Sequence, residues 1–309
     1  MVALLTLANV LLPLLYLVVF GLYLWLFLDD HPWPRKVVSQ WAAVLCLIHL
    51  GVLILRGTTL GRLPMGSPLE FLSVISVSML ATYLIIEKRI QVKATGVIVA
   101  GMVFLLQFIS SSFTHAVSEP SPLLKDPGFA GHAVLVMLSF TAFGLSFLFA
   151  VLYLVQVRQL DRRQFGLLFR RLPSLEVLER MSVGAVKIGV PLMFLALCLG
   201  HLWMYDLADR LPAEMASQLS PWDPKIMVSW VIFLGYVVGL VGNLFLGWRG
   251  RRMNVLAVVA FVSIISTLGL LHHFVPSFHD FTHTESAWLG ANDHLECQFA
   301  FHSEGGCHE

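Results

Sequence analysis

Residues 220–246 read Ser220-Pro221-Trp222-Asp223-Pro224-Lys225 and then IMVSWVIFLGYVVGLVGNLFL, a run of 21 residues without a charge. An apolar run of about 20 residues makes a helix that crosses roughly 30 Å of hydrocarbon. The two prolines ahead of it lack backbone donors and fix φ, so the approach to the span is expected to be rigid and non-helical. An aromatic, a carboxylate and a cation therefore collect at the mouth of a membrane helix. Trp222 has two readings there, an anchor at the headgroup level or a wall for a flat apolar ligand.

The same pattern recurs along the chain. Of 309 residues, 57% are hydrophobic and 13% charged, which excludes an ordinary soluble domain. A formal net charge of +1 gives no electrostatic case for a nucleic-acid partner. None of the 4 cysteines stands in CxxC or CxxCH spacing, the marks of a metal ribbon or an attached haem. Spans are expected at about 4–28, 36–55, 68–86, 94–112, 130–157, 183–205, 226–247 and 253–275. The fold class is thus all-α, a polytopic membrane helix bundle. No Lys or Arg precedes Arg35, so the first run is expected to persist as a helix rather than act as a cleaved signal. Residues 1–275 would form the membrane domain, with a basic segment at 158–182 and a loop at 206–225, and residues 276–309 a tail.

Basic residues assign orientation. One set of junctions holds Arg35, Lys36, Lys88, Arg89, Lys93, the cluster Arg158 to Arg180, and Arg249, Arg251 and Arg252. The other holds Arg56, Arg62, Lys125, Arg210 and Lys225. The positive-inside rule makes the first set cytoplasmic, which sends both termini and the Trp222 loop outward. Phe165, Leu167, Leu168 and Phe169 lie among the arginines of the basic segment, the composition of an interfacial amphipathic helix on an anionic bilayer surface.

Ionisable groups within spans need partners. His49, in the second span with Cys46, is either hydrogen-bonded to a neighbouring helix or a functional ligand. Glu70 follows Pro68 at a span start and calls for Arg56 or Arg62. In the tail, Asp280 to Glu309 has no Lys or Arg. Cys297 and Cys307 there could close a disulfide, or combine with His302 and His308 as a Zn or Cu site.

Apart from His31 and His49, every histidine sits at or beyond the expected outer boundary. His132 opens the fifth span, His279 follows the eighth, and Trp222 lies between them in sequence. Two imidazoles and an aromatic wall are the parts needed to hold a haem by its iron and its face. Lys225, Arg210 and Lys125 are the cations at hand for propionates. Unspecific metal chelation is the competing use of so many histidines.

Several motifs in series carry a resemblance. Leu172-Pro173-Ser174-Leu175-Glu176-Val177-Leu178-Glu179-Arg180, Gly189-Val190-Pro191-Leu192, Trp222-Asp223-Pro224-Lys225 and Gly247-Trp248-Arg249-Gly250-Arg251-Arg252 resemble the CcsA-type cytochrome c assembly proteins. These are haem-handling membrane proteins with a tryptophan-rich domain, and the similarity runs over roughly residues 45 to 280. The resemblance implies haem b bound on the outer face by His132 and His279, packed by Trp222 and Trp203 beside Asp223, with Lys225 or Arg210 on the propionates. His49 matches a membrane-embedded histidine of the family. Apocytochrome c would be the partner, and the chain would be part of a cytochrome c haem lyase in the inner (cytoplasmic) membrane, a thylakoid membrane being the alternative. The family pattern Trp-Gly-x-Tyr-Trp-x-Trp-Asp-Pro-Lys-Glu is reduced here to Trp222 to Lys225. Ile226 replaces the Glu, and Val241 stands where a second membrane histidine is expected. The alternative function is a haem b-binding or structural subunit of a respiratory or photosynthetic electron-transfer complex.

Overall fold

The computed structural model describes residues 2–29, 31–112, 125–210 and 220–274. In chain order it forms α1 (Val2–Leu28), α2 (Pro32–Leu60), α3 (Pro68–Ile90), α4 (Gly96–Ser112), α5 (Pro127–Asp161), α6 (Leu167–Arg171), α7 (Leu175–Arg210), α8 (Pro224–Phe245) and α9 (Arg251–Phe274). Each expected span falls on one of the long helices. Six of them are long and apolar enough to cross a membrane, and α4 is a shorter apolar helix. Large apolar side chains such as Leu47, Ile54, Val231 and Phe245 point outward, as hydrocarbon allows and water does not. The protein is a polytopic membrane helix bundle.

Proline and a capping side chain start four of these helices. Pro32, Pro68, Pro127 and Pro224 take first-turn positions, where a missing N–H costs nothing. Ser67 accepts from the Glu70 amide, Asp126 from Gly128 and Phe129, and Asp223 from Lys225, which satisfies orphan donors of the first turn. Residues 220–223 form a turn closed by the Asp223 amide on the Ser220 carbonyl at 3.0 Å. Residues 220–223 are non-helical as expected, whereas Pro224 and Lys225 already belong to α8, because proline suits the first helical turn. At the other end of α8, Gly247 and Gly250 both have φ of 66°, the left-handed backbone that glycine adopts without strain.

The basic segment differs from a single amphipathic helix over 158–182. α5 stops at Asp161, Arg163 turns left-handed at φ 54°, and only Leu167–Arg171 is helical before α7. Gly166 and Pro173 bracket that short helix and end it from both sides.

α1 to α4 enclose one apolar core, continued by buried residues of α5 and α7. A second core joins α5, α7, α8 and α9 around Phe143, whose ring stacks on Tyr236 at 3.8 Å and 7°. The most extensive helix contact is between α5 and α7, and small residues permit it. A Cβ at Gly189 would lie 2.5 Å from Phe143 Cε1. Gly184, on the same helix, has nothing within 4 Å of that position.

Gly189→Ala is expected to destabilise the bundle by about 1–3 kcal/mol through overpacking, read as a lowered unfolding midpoint in detergent. Gly184→Ala should leave the midpoint unchanged or raise it.

Candidate functional site

The close α5–α7 packing leaves a cavity of about 260 Å³ at the end of the bundle opposite the basic turns, bounded also by α3 and the start of α8. Its α5 wall is Phe129, His132, Ala133, Val136, Met137 and Phe140, one helical stripe. Met193, Leu197, Gly200, His201 and Met204 form the matching stripe of α7. The lining is apolar except for two imidazoles, one indole, Ser229 and Lys225.

His132 Nδ1 lies 2.8 Å from the Ala196 carbonyl of α7. A carbonyl only accepts, so Nδ1 carries the proton and a neutral ring has its lone pair on Nε2. That is the second-sphere bond that orients a metal-ligating histidine. The ring needs Gly200 opposite it, because a Cβ there would come within 2.7 Å of Cε1 and Nδ1. His201 is prepared in the same way, with Nδ1 2.8 Å from the Leu197 carbonyl and its ring edge-on to Trp230 at 5.8 Å.

Trp203 is 6% exposed and packs on Phe129 at 5.3 Å. Gly128 makes room for it, since a Cβ there would meet the indole at 2.4 Å. Among the described residues its Nε1 has no hydrogen-bond partner, and the side chain lines the cavity. A buried donor without an acceptor costs stability, so a cavity ligand bringing an acceptor would satisfy it. A nitrogen lone pair, an aromatic wall, an orphaned donor and a cation are the chemistry that a porphyrin with carboxylate side chains requires.

The expected site residues separate into groups. His132, Trp203 and Lys225 meet at the cavity. Asp223 caps α8 beside it. Trp222 is 76% exposed and does not line it. Arg210 pairs with Asp126 at 3.3 Å and with Asp206, tying the end of α7 to the cap of α5. His279, Cys297, His302, Cys307 and His308 lie outside the described residues.

His49 is elsewhere. It is fully buried, with Nδ1 2.9 Å from Tyr16 Oη and Nε2 2.9 Å from Ser73 Oγ. Ser73 donates to Gln107 at 3.0 Å, and Gln107 to Ser111 at 3.0 Å, so one polar chain threads α1 to α4. Val241, the other position of the family's internal pair, is exposed on α8. Glu70 receives both guanidinium nitrogens of Arg62, at 2.9 and 3.3 Å, while Arg56 donates to Asn9. Sequence reasoning passed over His201, although it falls on the stripe that includes Leu197 and Met204.

A family model described as cytochrome C assembly protein matches residues 65–273. The protein HemX of Bacillus subtilis (strain 168) is 29% identical over 143 residues, 46% of this chain and 51% of that protein. The cytochrome c biogenesis protein CcsA of Guillardia theta is 24% identical over 241 residues, 71% of this chain and 76% of that protein. CcsA of Trieres chinensis is 22% identical over 289 residues, 80% and 89% of the two chains. The chain spans about half the length of the HemX protein it matches.

His49→Ala should cost about 2–4 kcal/mol, because it opens a cavity and strands Tyr16 and Ser73. Unfolding in detergent, followed by tryptophan fluorescence, reads the loss. Ligand binding at the His132 cavity should be unaffected in the folded variant.

Proposed function

The chain belongs to the cytochrome c assembly protein family, and on that premise we propose that it holds haem b at the mouth of the α5–α7 cavity and presents it to apocytochrome c. The observation that supports this most is the His132 geometry: a helix carbonyl fixes the proton on Nδ1 of a ring that lines the cavity, the bond that orients a metal-ligating histidine. Haem supplies the iron and the vinyl groups that become thioethers in a c-type cytochrome, so it is cargo here. The chain's own residues bind and orient it. His132 is one axial ligand, and His279 the other, as the family resemblance implies. Trp203 offers an aromatic wall and an N–H donor at the cavity, and Lys225 offers positive charge to a propionate.

In this reading the chain crosses the inner (cytoplasmic) membrane with both termini outward, following the distribution of Lys and Arg. Residues 1–275 handle haem and residues 276–309 form an external tail. Exposed Trp222 meets the headgroups or the incoming apocytochrome rather than the buried part of the ring. The contribution of these residues to a haem lyase is to bind and orient the haem.

Deletion of the gene, complemented by variants, tests the proposal through covalent haem staining of c-type cytochromes on denaturing gels. His132→Ala is expected to lower the stain at least tenfold at equal membrane abundance, and His279→Ala likewise. If His201→Ala fails while His279→Ala does not, the second ligand is His201. Normal staining with His132→Ala would overturn the proposal. Intact maturation in the deletion strain, together with haem retained by the purified protein, would assign a resident haem b of an electron-transfer complex instead.

A further inference from the structure

A second cavity, of about 570 Å³, opens at the basic end of the bundle, far along the helices from His132. Four chain segments converge on it. The end of α1 brings Leu26 and Phe27, the start of α2 brings Arg35, the α3–α4 turn brings Val92 and Lys93, and α6 brings Arg170 and Arg171. Its lining holds four cationic side chains and no carboxylate. Two of the cations are held in place by main-chain carbonyls: Lys93 Nζ donates to Arg35 at 2.5 Å, and Arg171 Nη2 to Leu28 at 2.6 Å. These bonds fix direction and leave the charges uncompensated, since among the described residues neither side chain pairs with an acid.

Like charges brought together repel, by about 1 kcal/mol per pair at 4 Å even in water-like surroundings. An anion in the pocket would offset the repulsion among Lys93, Arg170 and Arg171. We propose that this pocket binds the phosphate of an anionic phospholipid headgroup. The placement selects a lipid over a soluble phosphate. α1 ends at Leu28 and α2 begins at Pro32, so the pocket sits where spans stop and headgroups lie. Leu26, Phe27 and Val92 give one side of it an apolar lining that fits glycerol and the first acyl carbons. Basic pockets between helices at this level are sites for anionic headgroups, and arginine supplies the fork that meets phosphate oxygens in pairs. The interrupted basic segment gains a purpose: the break after Asp161 and the stop at Pro173 deliver Arg170 and Arg171 to α1 and α2, where one continuous helix would carry them past. This site is independent of the haem reading.

Native mass spectrometry of the full chain tests it, using nanodiscs of phosphatidylcholine with a minor share of phosphatidylglycerol. Preferential retention of phosphatidylglycerol is expected, reduced about tenfold in the double variant Arg170→Gln, Arg171→Gln. The double variant Arg251→Gln, Arg252→Gln, which removes equal charge at the same end outside the pocket, should retain it. Should the first pair unfold earlier than the parent in phosphatidylcholine alone, Lys93→Gln on the α3–α4 turn carries the same expectation. Equal retention of both lipids, or equal loss in the two double variants, would overturn the site. Displacement of phosphatidylglycerol by inorganic phosphate at matched concentration would reassign it to a free phosphate.

Discussion

The structure depends on how closely α5 and α7 approach. Gly189 lies under Phe143, Gly128 under Trp203 and Gly200 under His132, so three glycines seat three rings between two helices. Helix association in hydrocarbon relies on such small residues, because apolar burial against lipid gains little. The same approach brings the Ala196 carbonyl to His132 Nδ1. Packing and ligand geometry are one arrangement here, and a change that parts the helices dismantles the cavity as well.

Buried polar groups tie the helices together along the bundle. In α1 to α4 Tyr16, His49, Ser73, Gln107 and Ser111 form a hydrogen-bonded chain. Tyr23 and Ser39 both donate to buried Glu87, at 2.7 and 2.5 Å. Every such bond fixes the register of one helix against another, at a depth where an unmet donor is expensive. Between α5 and α7, Ser146 and Ser182 hydroxyls bond each other at 3.0 Å, while at the cavity the Trp203 donor is unmet among the described residues.

Much of this was legible in the sequence. Apolar runs of spanning length marked each long helix, and Pro68 with Glu70 marked the start of α3, because proline geometry and first-turn charge are local. Glu70 called for an arginine and meets Arg62. His132, Trp203 and Lys225 were chosen from motif order, and they share a cavity. Less local facts escaped. Whether His49 bonds or ligates depends on Tyr16 and Ser73, which are 33 and 24 residues away. His201 looked like one more boundary histidine until α5 supplied the facing stripe. The basic segment had the composition of an amphipathic helix, but Gly166 and Pro173 break it, and only tertiary contact shows where the arginines go.

The most direct measurement is the reduced-minus-oxidised absorption spectrum of the detergent-purified protein, titrated with haem, compared with Gly200→Ala and with His132→Ala. The account predicts a six-coordinate haem b spectrum in the parent. It also predicts at least tenfold weaker binding in Gly200→Ala, where a methyl group displaces the His132 ring although no ligand has been removed. His132→Ala should abolish that spectrum. Parent-like affinity and spectrum in both variants would contradict the claim that the α5–α7 contact builds the haem site.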